Sequence, residues 1–232
     1  MFRISRIALV VVPLILLASR AFADPVLIGT AGVGHNCFPF GCGQHAGDDA
    51  DRYQQVYSSS QFSGPLLIEQ IEFFRSLGSG TATGVYSFYL STTSKAVDGL
   101  DTSNFDANVG LDRALFAVMT FAGAAAPPIL SIVGSNPFLY NPRLGNLLLD
   151  IVIPGGAINA AGDTVFFASE NGTAGGVFSR AHNFGEGSTG YGQVTRFSDS
   201  SAPVPEPATL GLLGVGLIAA AARIRRSQKS KG

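Results

Sequence analysis

The chain has no tryptophan and few cysteines, methionines and histidines: two, two and three of these among 232 residues. The absence of tryptophan counts against a sugar-binding face, because such faces expose large aromatic rings. Two cysteines allow at most one internal disulfide, which excludes a disulfide-dense scaffold. No apolar run is longer than 15 residues, and an ordinary transmembrane helix needs ~20.

The amino end has the pattern of a secretory signal. Two arginines precede an apolar run of 12 residues at 7–18, and a small-x-small site at Ala21 and Ala23 follows it. This order predicts a signal peptide over residues 1–23 and a mature chain that starts at Asp24. The alternative is an uncleaved anchor, which the shortness of the apolar run disfavours.

The other end combines a rigid polar motif, a short apolar run and a basic stop. The motif is Val204, Pro205, Glu206 and Pro207, and the basic stop at residues 223–226 contains Arg223, Arg225 and Arg226. The prolines fix φ and lack an N–H, so we expect an extended motif. The run at 208–222 would span ~22 Å as a helix, short of the ~30 Å hydrocarbon core, which suits a transient membrane anchor. The positive-inside rule places the arginines and residues 227–232 in the cytoplasm.

This tail, residues 204–226, resembles the PEP-CTERM sorting signal of Gram-negative bacteria, which an exosortase recognises and removes. The resemblance implies an exosortase as a partner and an initial anchor in the inner membrane. It also implies a final location at the cell surface, in the outer envelope or in an exopolysaccharide matrix. It brings no catalytic residue with it.

The body between the two ends is acidic. Residues 24–203 contain seven Lys and Arg residues against fifteen Asp and Glu residues, a net charge of −8, although the whole chain carries −1. A body with a single lysine argues against nucleic acid as a partner, since phosphate binding depends on clustered Lys and Arg. The charge is compatible with cation binding, with neutral sugars or with no small ligand.

Short β-prone runs separated by turn signals fill the body. They lie at residues 26–30, 52–57, 66–74, 85–92, 114–121, 129–133, 146–153, 164–169, 176–179 and 191–197. Several alternate with period two, so that Tyr86, Phe88 and Leu90 share one strand face. This spacing predicts an all-β fold, a single β-sandwich or jelly-roll-like domain over residues 24–197. A polar stalk at 198–203 follows it.

The two cysteines lie in a cluster with two histidines, His35-x-Cys37-x4-Cys42-x2-His45. Because an exported protein meets an oxidising environment, we expect a Cys37–Cys42 disulfide. The alternative is a zinc or copper ion held by all four side chains, and this spacing fits no standard zinc framework closely.

An aspartate-rich stretch between two predicted strands is a candidate calcium site. Its carboxylates are Asp98, Asp101, Asp106 and Asp112. Calcium takes six to eight oxygen ligands, and this density of oxygens could supply them. The alternative is a solvated loop of Asx turns, and the EF-hand pattern is absent. No other cofactor is expected.

The remaining acids and histidines give little support for catalysis. Glu69 and Glu72 fall on opposite faces of a predicted strand, so they do not form a glycosidase pair. Glu170 and Glu186 flank glycine-rich loops and could approach each other. His182 is the one histidine outside the cysteine cluster, and the Gly-x-Ser-x-Gly elbow of many hydrolases is absent.

The sequence therefore predicts an exported, non-catalytic protein with a structural or adhesive role at the surface or in an exopolysaccharide matrix. The alternative is a carbohydrate-binding jelly-roll module, which could require calcium for binding. A secreted hydrolase is the third class of function. A sugar platform would have to come from the tyrosines, which are Tyr53, Tyr57, Tyr86, Tyr89, Tyr140 and Tyr191.

Overall fold

The computed structural model describes residues 24–30, 32, 34–42, 52–155, 164–182 and 190–199. The strands are β1 (Val26–Ile28), β2 (His35–Asn36), β3 (Arg52–Tyr57), β4 (Leu66–Leu77), β5 (Thr83–Thr93), β6 (Ala114–Ala122), β7 (Ile129–Tyr140), β8 (Asn146–Val152), β9 (Phe166–Asn171), β10 (Phe178–His182), β11 (Tyr191–Gln193) and β12 (Thr195–Ser198). Two short 3-10 turns, Ser59–Gln61 and Phe105–Asn108, are the only helical pieces in these ranges. The predicted all-β class is confirmed.

One layer is a seven-stranded antiparallel sheet with the order β1-β12-β4-β9-β11, in which β7 also pairs with β4 and β2 with β9. The long strand β4 organises this layer. Its Ile71 lies opposite Phe197 of β12 on one side and opposite Ile132 of β7 on the other. All three side chains are buried, so the centre of this sheet is part of the core.

The other layer is a five-stranded antiparallel sheet with the order β10-β3-β8-β5-β6. The predicted alternation on β5 is confirmed, because Tyr86, Phe88 and Leu90 are all fully buried. On β8, Leu147 and Leu149 point to the same core. Strands that alternate in this way bury one face against a second sheet.

The two layers pack face to face. The ring of Tyr57 on β3 lies 4.9 Å from the ring of Phe197 on β12, at an interplanar angle of 89°. The Tyr57 hydroxyl also makes a 2.8 Å hydrogen bond with Oγ1 of Thr195. Two antiparallel sheets joined through a shared aromatic core are consistent with the predicted β-sandwich.

Most strand ends differ from the prediction by up to three residues, and three differences are larger. β7 continues to Tyr140, past the predicted end at residue 133, because its second half pairs with the start of β4 after a register shift. The predicted strand at 191–197 is two strands, since Val194 donates its N–H to Ala168 O and the chain changes partner there. The two-residue strand β2 was too short to predict.

Candidate functional site

The disulfide loop packs against the hydrophobic core. Cys37 and Cys42 are bonded, with their Cα atoms 4.9 Å apart, and the backbone N–H groups of Gly41 and Cys42 both donate to Cys37 O. A Cβ at Gly41 would lie 1.9 Å from Val165 O, so only glycine fits. The predicted disulfide is confirmed, and with both sulfurs bonded the alternative metal site loses two of its four ligands. His45 lies outside the described residues.

This loop delivers Phe40 to the centre of the sandwich, where the side chain is fully buried. Five aromatic rings surround it at centroid distances of 4.8 to 6.2 Å: Phe73, Tyr86, Phe88, Phe121 and Phe167. These rings come from both layers. The short disulfide loop therefore inserts the Phe40 side chain between the two sheets.

A buried carboxylate, Asp150 on β8, organises a second feature on the outer face of the five-stranded sheet. Arg52 binds it with two hydrogen bonds, Nε to Oδ1 at 2.9 Å and Nη2 to Oδ2 at 3.0 Å. Arg113 adds a third, from Nη2 to Oδ2 at 3.0 Å, and stacks on the ring of Tyr89 at 3.6 Å. Neither Asp150 nor its two arginine partners were predicted as a site from the sequence.

The aspartate-rich loop is held down by this network. Asp106 accepts a 2.8 Å hydrogen bond from Nη1 of Arg52, which lowers the pKa of its carboxyl group. Asn108 donates to Oε1 of Gln54 at 2.7 Å, and Gln54 in turn donates to Asp150. Burial opposes the charge of Arg52, but its bonds to the two aspartates outweigh this effect and raise its pKa.

The four aspartates of the candidate calcium site serve separate structural roles. Asp101 accepts backbone N–H groups of Asn104 and Ser103, which lowers its pKa. Asp98 accepts the N–H of Gly190 at 2.9 Å, and Asp112 accepts the N–H of Thr92 at 2.7 Å. In the part of the chain that the structure describes, no group of three or more His, Cys, Asp or Glu side chains is placed to hold a metal ion.

The candidate catalytic acids are likewise dispersed. Glu72 forms a 2.5 Å ion pair with Arg196. Glu170 is buried, accepting the N–H of Thr30 at 2.8 Å and the hydroxyl of Thr173. His182 packs against the ring of Phe38 at a centroid distance of 5.1 Å. Glu186 lies outside the described residues, so its predicted approach to Glu170 stays a prediction.

A buried polar cluster lies between the two layers. Gln55 on β3 and Gln193 on β11 bind each other: Nε2 of Gln55 donates to Gln193 O, and Oε1 of Gln55 accepts the N–H of Gln193, both at 2.8 Å. Oε1 of Gln55 also accepts the Tyr53 hydroxyl at 2.5 Å. Burial raises the pKa of Tyr53 to about 12. The sequence gave no signal for this cluster, since glutamines on strands are ordinarily exposed.

Arg180 of β10 adjoins this cluster, opposite Gln55 in the strand register. The residue is 9% exposed, and its Nε and Nη1 atoms have no hydrogen-bond partner in the part of the chain that the structure describes. The guanidinium lies 5.5 Å from the ring centroid of Tyr191 on β11. This arrangement gives a positive charge beside an aromatic ring at the edge where β10 and β11 end their sheets.

The tyrosines divide into core and surface residues. Tyr53, Tyr57, Tyr86 and Tyr140 are fully buried, so they cannot be sugar platforms. Tyr89 and Tyr191 are half-buried, and the ring of Tyr89 is covered by Arg113. Tyr191 remains as the candidate platform.

A pocket of about 390 Å³ opens beside the turn between β6 and β7. Met119, Phe121 and Ile129 line it together with the alanine-rich segment at 122–127. Its lining contains no charged residue. The pocket therefore offers apolar surface and no group for acid–base chemistry.

A family model described as the PEP-CTERM protein-sorting motif matches residues 203–226. The chain carries a PEP-CTERM sorting motif. The match includes the motif that begins at Val204, and it ends at Arg226, the last residue of the basic stop. It confirms the predicted sorting signal. A PEP-CTERM motif implies an exported protein that is sorted by an exosortase and processed at the membrane. No curated protein and no solved structure matches the chain significantly.

The PEP-CTERM segment and the predicted signal peptide at 1–23 lie outside the residues that the structure describes. Within the described ranges, no helix has the length and apolar character to cross a membrane. Ser198, the first residue of the predicted stalk, is the last residue of β12. The sheet therefore extends one residue into that segment.

Proposed function

We propose that the body is a non-catalytic, structural or adhesive component of the cell surface or of an exopolysaccharide matrix. The observation that carries this proposal is the use of its polar side chains. The buried carboxylates of Asp150, Glu72 and Glu170 bind arginines or groups of the fold itself. Such side chains stabilise the sandwich, whereas a hydrolase needs carboxylates converging on a cleft.

The exported context supports the same proposal. The sorting motif delivers the body outside the cytoplasm, where the Cys37–Cys42 bridge persists. A single sandwich closed by a disulfide loop is a durable module for display. In the proposed matrix, its acidic surface would keep copies apart in solution and leave attachment to local sites.

The proposal is tested in the native host by locating the protein. We expect the mature protein, with its tail removed, in the matrix or surface fraction, and a Pro205→Ala/Pro207→Ala variant retained in the inner membrane. A matched control is Pro142→Ala, which changes a proline outside the sorting motif. Release of the mature protein into the medium without association, or cleavage of a polysaccharide by the purified protein, would contradict the proposal.

Binding of polysaccharide is the second candidate function, and the half-buried ring of Tyr191 beside Arg180 favours it. A panel of matrix polymers, each tested with calcium and then with a chelator, separates this function from a purely structural one. Loss of binding on chelation would support the calcium prediction for the loop at 98–112, and binding that is unchanged would oppose it.

A further inference from the structure

Arg180 is more buried than the other described arginines and differs from most of them in its partners. Arg52, Arg113 and Arg196 each bind a carboxylate, and Arg75 donates to Ala126 O. Arg180 is 9% exposed, and its buried Nε and Nη1 atoms donate to no acceptor among the described residues. A buried, unpaired guanidinium is unfavourable, because it loses hydration without gaining a counter-charge. An anionic group that is not part of the described chain would restore the balance.

Glu170 is bound elsewhere in the fold and forms no ion pair with Arg180. Glu170 lies on β9, opposite Gly192 of β11. Both of its oxygens are engaged, Oε1 by the N–H of Thr30 and Oε2 by the hydroxyl of Thr173. The described residues therefore supply no carboxylate partner for Arg180.

A second orphaned atom lies in the same cluster. Oε1 of Gln193 is buried and accepts no hydrogen bond, while its Nε2 donates to the carbonyl oxygens of Asn36 and Phe38. Those two carbonyls fix the orientation of the amide, since the reverse orientation would place oxygen against oxygen. The cluster thus lacks one donor at Gln193 and one anionic acceptor at Arg180.

These groups lie where both sheets end. β10 is the last strand of its sheet and β11 is the last strand of the other, so Arg180 sits at an edge of the sandwich. Tyr191 and Gln193 share one face of β11 because side chains alternate along a strand. Tyr191 places its half-exposed ring over Arg180, and it can present an apolar ring edge or face to a ligand.

We propose that this edge of the sandwich, formed by Arg180, Tyr191 and Gln193, binds an acidic sugar unit of a polysaccharide. The carboxylate pairs with the guanidinium, a hydroxyl donates to Oε1 of Gln193, and the sugar ring packs on Tyr191. A sugar acid combines these three features in one unit. The inference rests on the proposed adhesive function, for which it names the ligand class. The body carries a net charge of −8, so capture depends on this local site and not on the overall field.

The test measures binding of sodium glucuronate, glucose and sodium sulfate to the exported protein, by calorimetry and by the shift in melting temperature. We expect glucuronate to bind and to raise the melting temperature, and glucose to do neither. The Arg180→Met variant should bind glucuronate at least about tenfold more weakly, because a charged hydrogen bond is lost. The matched control, Arg143→Met, changes an exposed arginine and should bind as the original protein does.

Two further variants keep the test decisive if Arg180→Met fails to fold. Tyr191→Ala should weaken glucuronate binding, and Tyr191→Phe should retain it, because the sugar packs on the ring of Tyr191 and not on its hydroxyl. Equal binding by Arg180→Met and the original protein, or no glucuronate binding by the original protein, would overturn the inference. Sulfate binding as strong as glucuronate binding would overturn the sugar assignment and leave an oxyanion site. Matrix association without glucuronate binding would leave the proposed function standing and remove only this site.

Discussion

Arg52 and Asp150 form a bidentate ion pair across adjacent strands, with Nε 2.9 Å from Oδ1 and Nη2 3.0 Å from Oδ2. The carboxylate is 1% exposed at the side chain, whereas Asp106, the other partner of Arg52, is 84% exposed. One arginine thus joins a buried acid on the sheet to a surface acid on the long loop. The pair fixes that loop against the outer face of the five-stranded sheet.

Replacing the buried acid should be costly. In Asp150→Asn, Arg52 and Arg113 lose a shared counter-charge that is almost fully buried, and we expect the free energy of unfolding to fall by about 3 kcal/mol or more. Urea denaturation measures this change. The matched control is Asp106→Asn, which removes an exposed partner of the same arginine and should cost at most ~1 kcal/mol. Equal effects of the two substitutions would contradict the role assigned to Asp150.

Phe40 should be among the most sensitive core positions. It is fully buried among aromatic rings of both sheets, so Phe40→Ala leaves a cavity and should lower the free energy of unfolding by ~3–5 kcal/mol. Leu111→Ala, at a fully exposed position, should change it by no more than ~0.5 kcal/mol. Thermal or urea unfolding compares the two. A Phe40→Ala protein as stable as the original would contradict the packing of Phe40 between the two sheets.

The disulfide should stabilise the same loop. Because the bridge closes a loop with a sequence separation of 5, its removal in a Cys37→Ser/Cys42→Ser variant should cost ~2 kcal/mol. A reducing agent should lower the melting temperature of the original protein and leave that of the variant unchanged. Two thiols open to alkylation in the exported native protein would show that the bridge does not form there.

Buried tyrosines should make the fold sensitive to alkali. The pKa of Tyr53 is raised to about 12, above the ~10 of an unfolded tyrosine. Burial also raises the pKa of Tyr57, Tyr86 and Tyr140. A raised folded-state pKa gives stability that is complete below pH ~10 and is lost as the pH rises towards 12.

We therefore expect these tyrosines to ionise together with unfolding, followed by tyrosinate absorbance and circular dichroism in one titration. Tyr53→Phe keeps the ring, removes one ionisable group, and should move the transition to higher pH. Ionisation of all six tyrosines near pH ~10 with the fold intact would contradict the burial of these four hydroxyls.

The PEP-CTERM segment should be absent from the mature protein. An exosortase substrate loses its tail, so mass spectrometry of the protein from its host should find no peptide from residues 223–232. The same spectra should place the amino terminus at Asp24. Mature protein that still contains Arg226 would show that the segment is not removed.

The strands were predictable where a single face is buried. Tyr86, Phe88 and Leu90 alternate with polar or half-buried residues, and this period alone indicates a strand with one face in the core. The disulfide followed from two cysteines in an exported chain. β7 was predicted too short because Gly134 and Pro137 signal a break locally, and only pairing with β4 carries the strand past them.

The candidate sites were less predictable than the strands. The aspartates between 98 and 112 suggested one calcium site because they are close in sequence, but each binds a different backbone or side-chain partner in the folded protein. Arg180 gave no signal in the sequence. Its importance depends on which side chains surround it, and those come from β3, far away along the chain, and from β11, the next strand.

The sequence by itself determined that the chain carries a sorting motif, and it determined the class of fold. A PEP-CTERM tail is read as a contiguous segment, and strand periodicity is a local property of the chain. The tertiary structure decided which buried polar groups have hydrogen-bond partners among the described residues and which have none. Asp150 gains two arginines, while Arg180 is buried at an edge with unsatisfied donors. Burial and pairing depend on contacts between residues distant in sequence, and no local pattern encodes them.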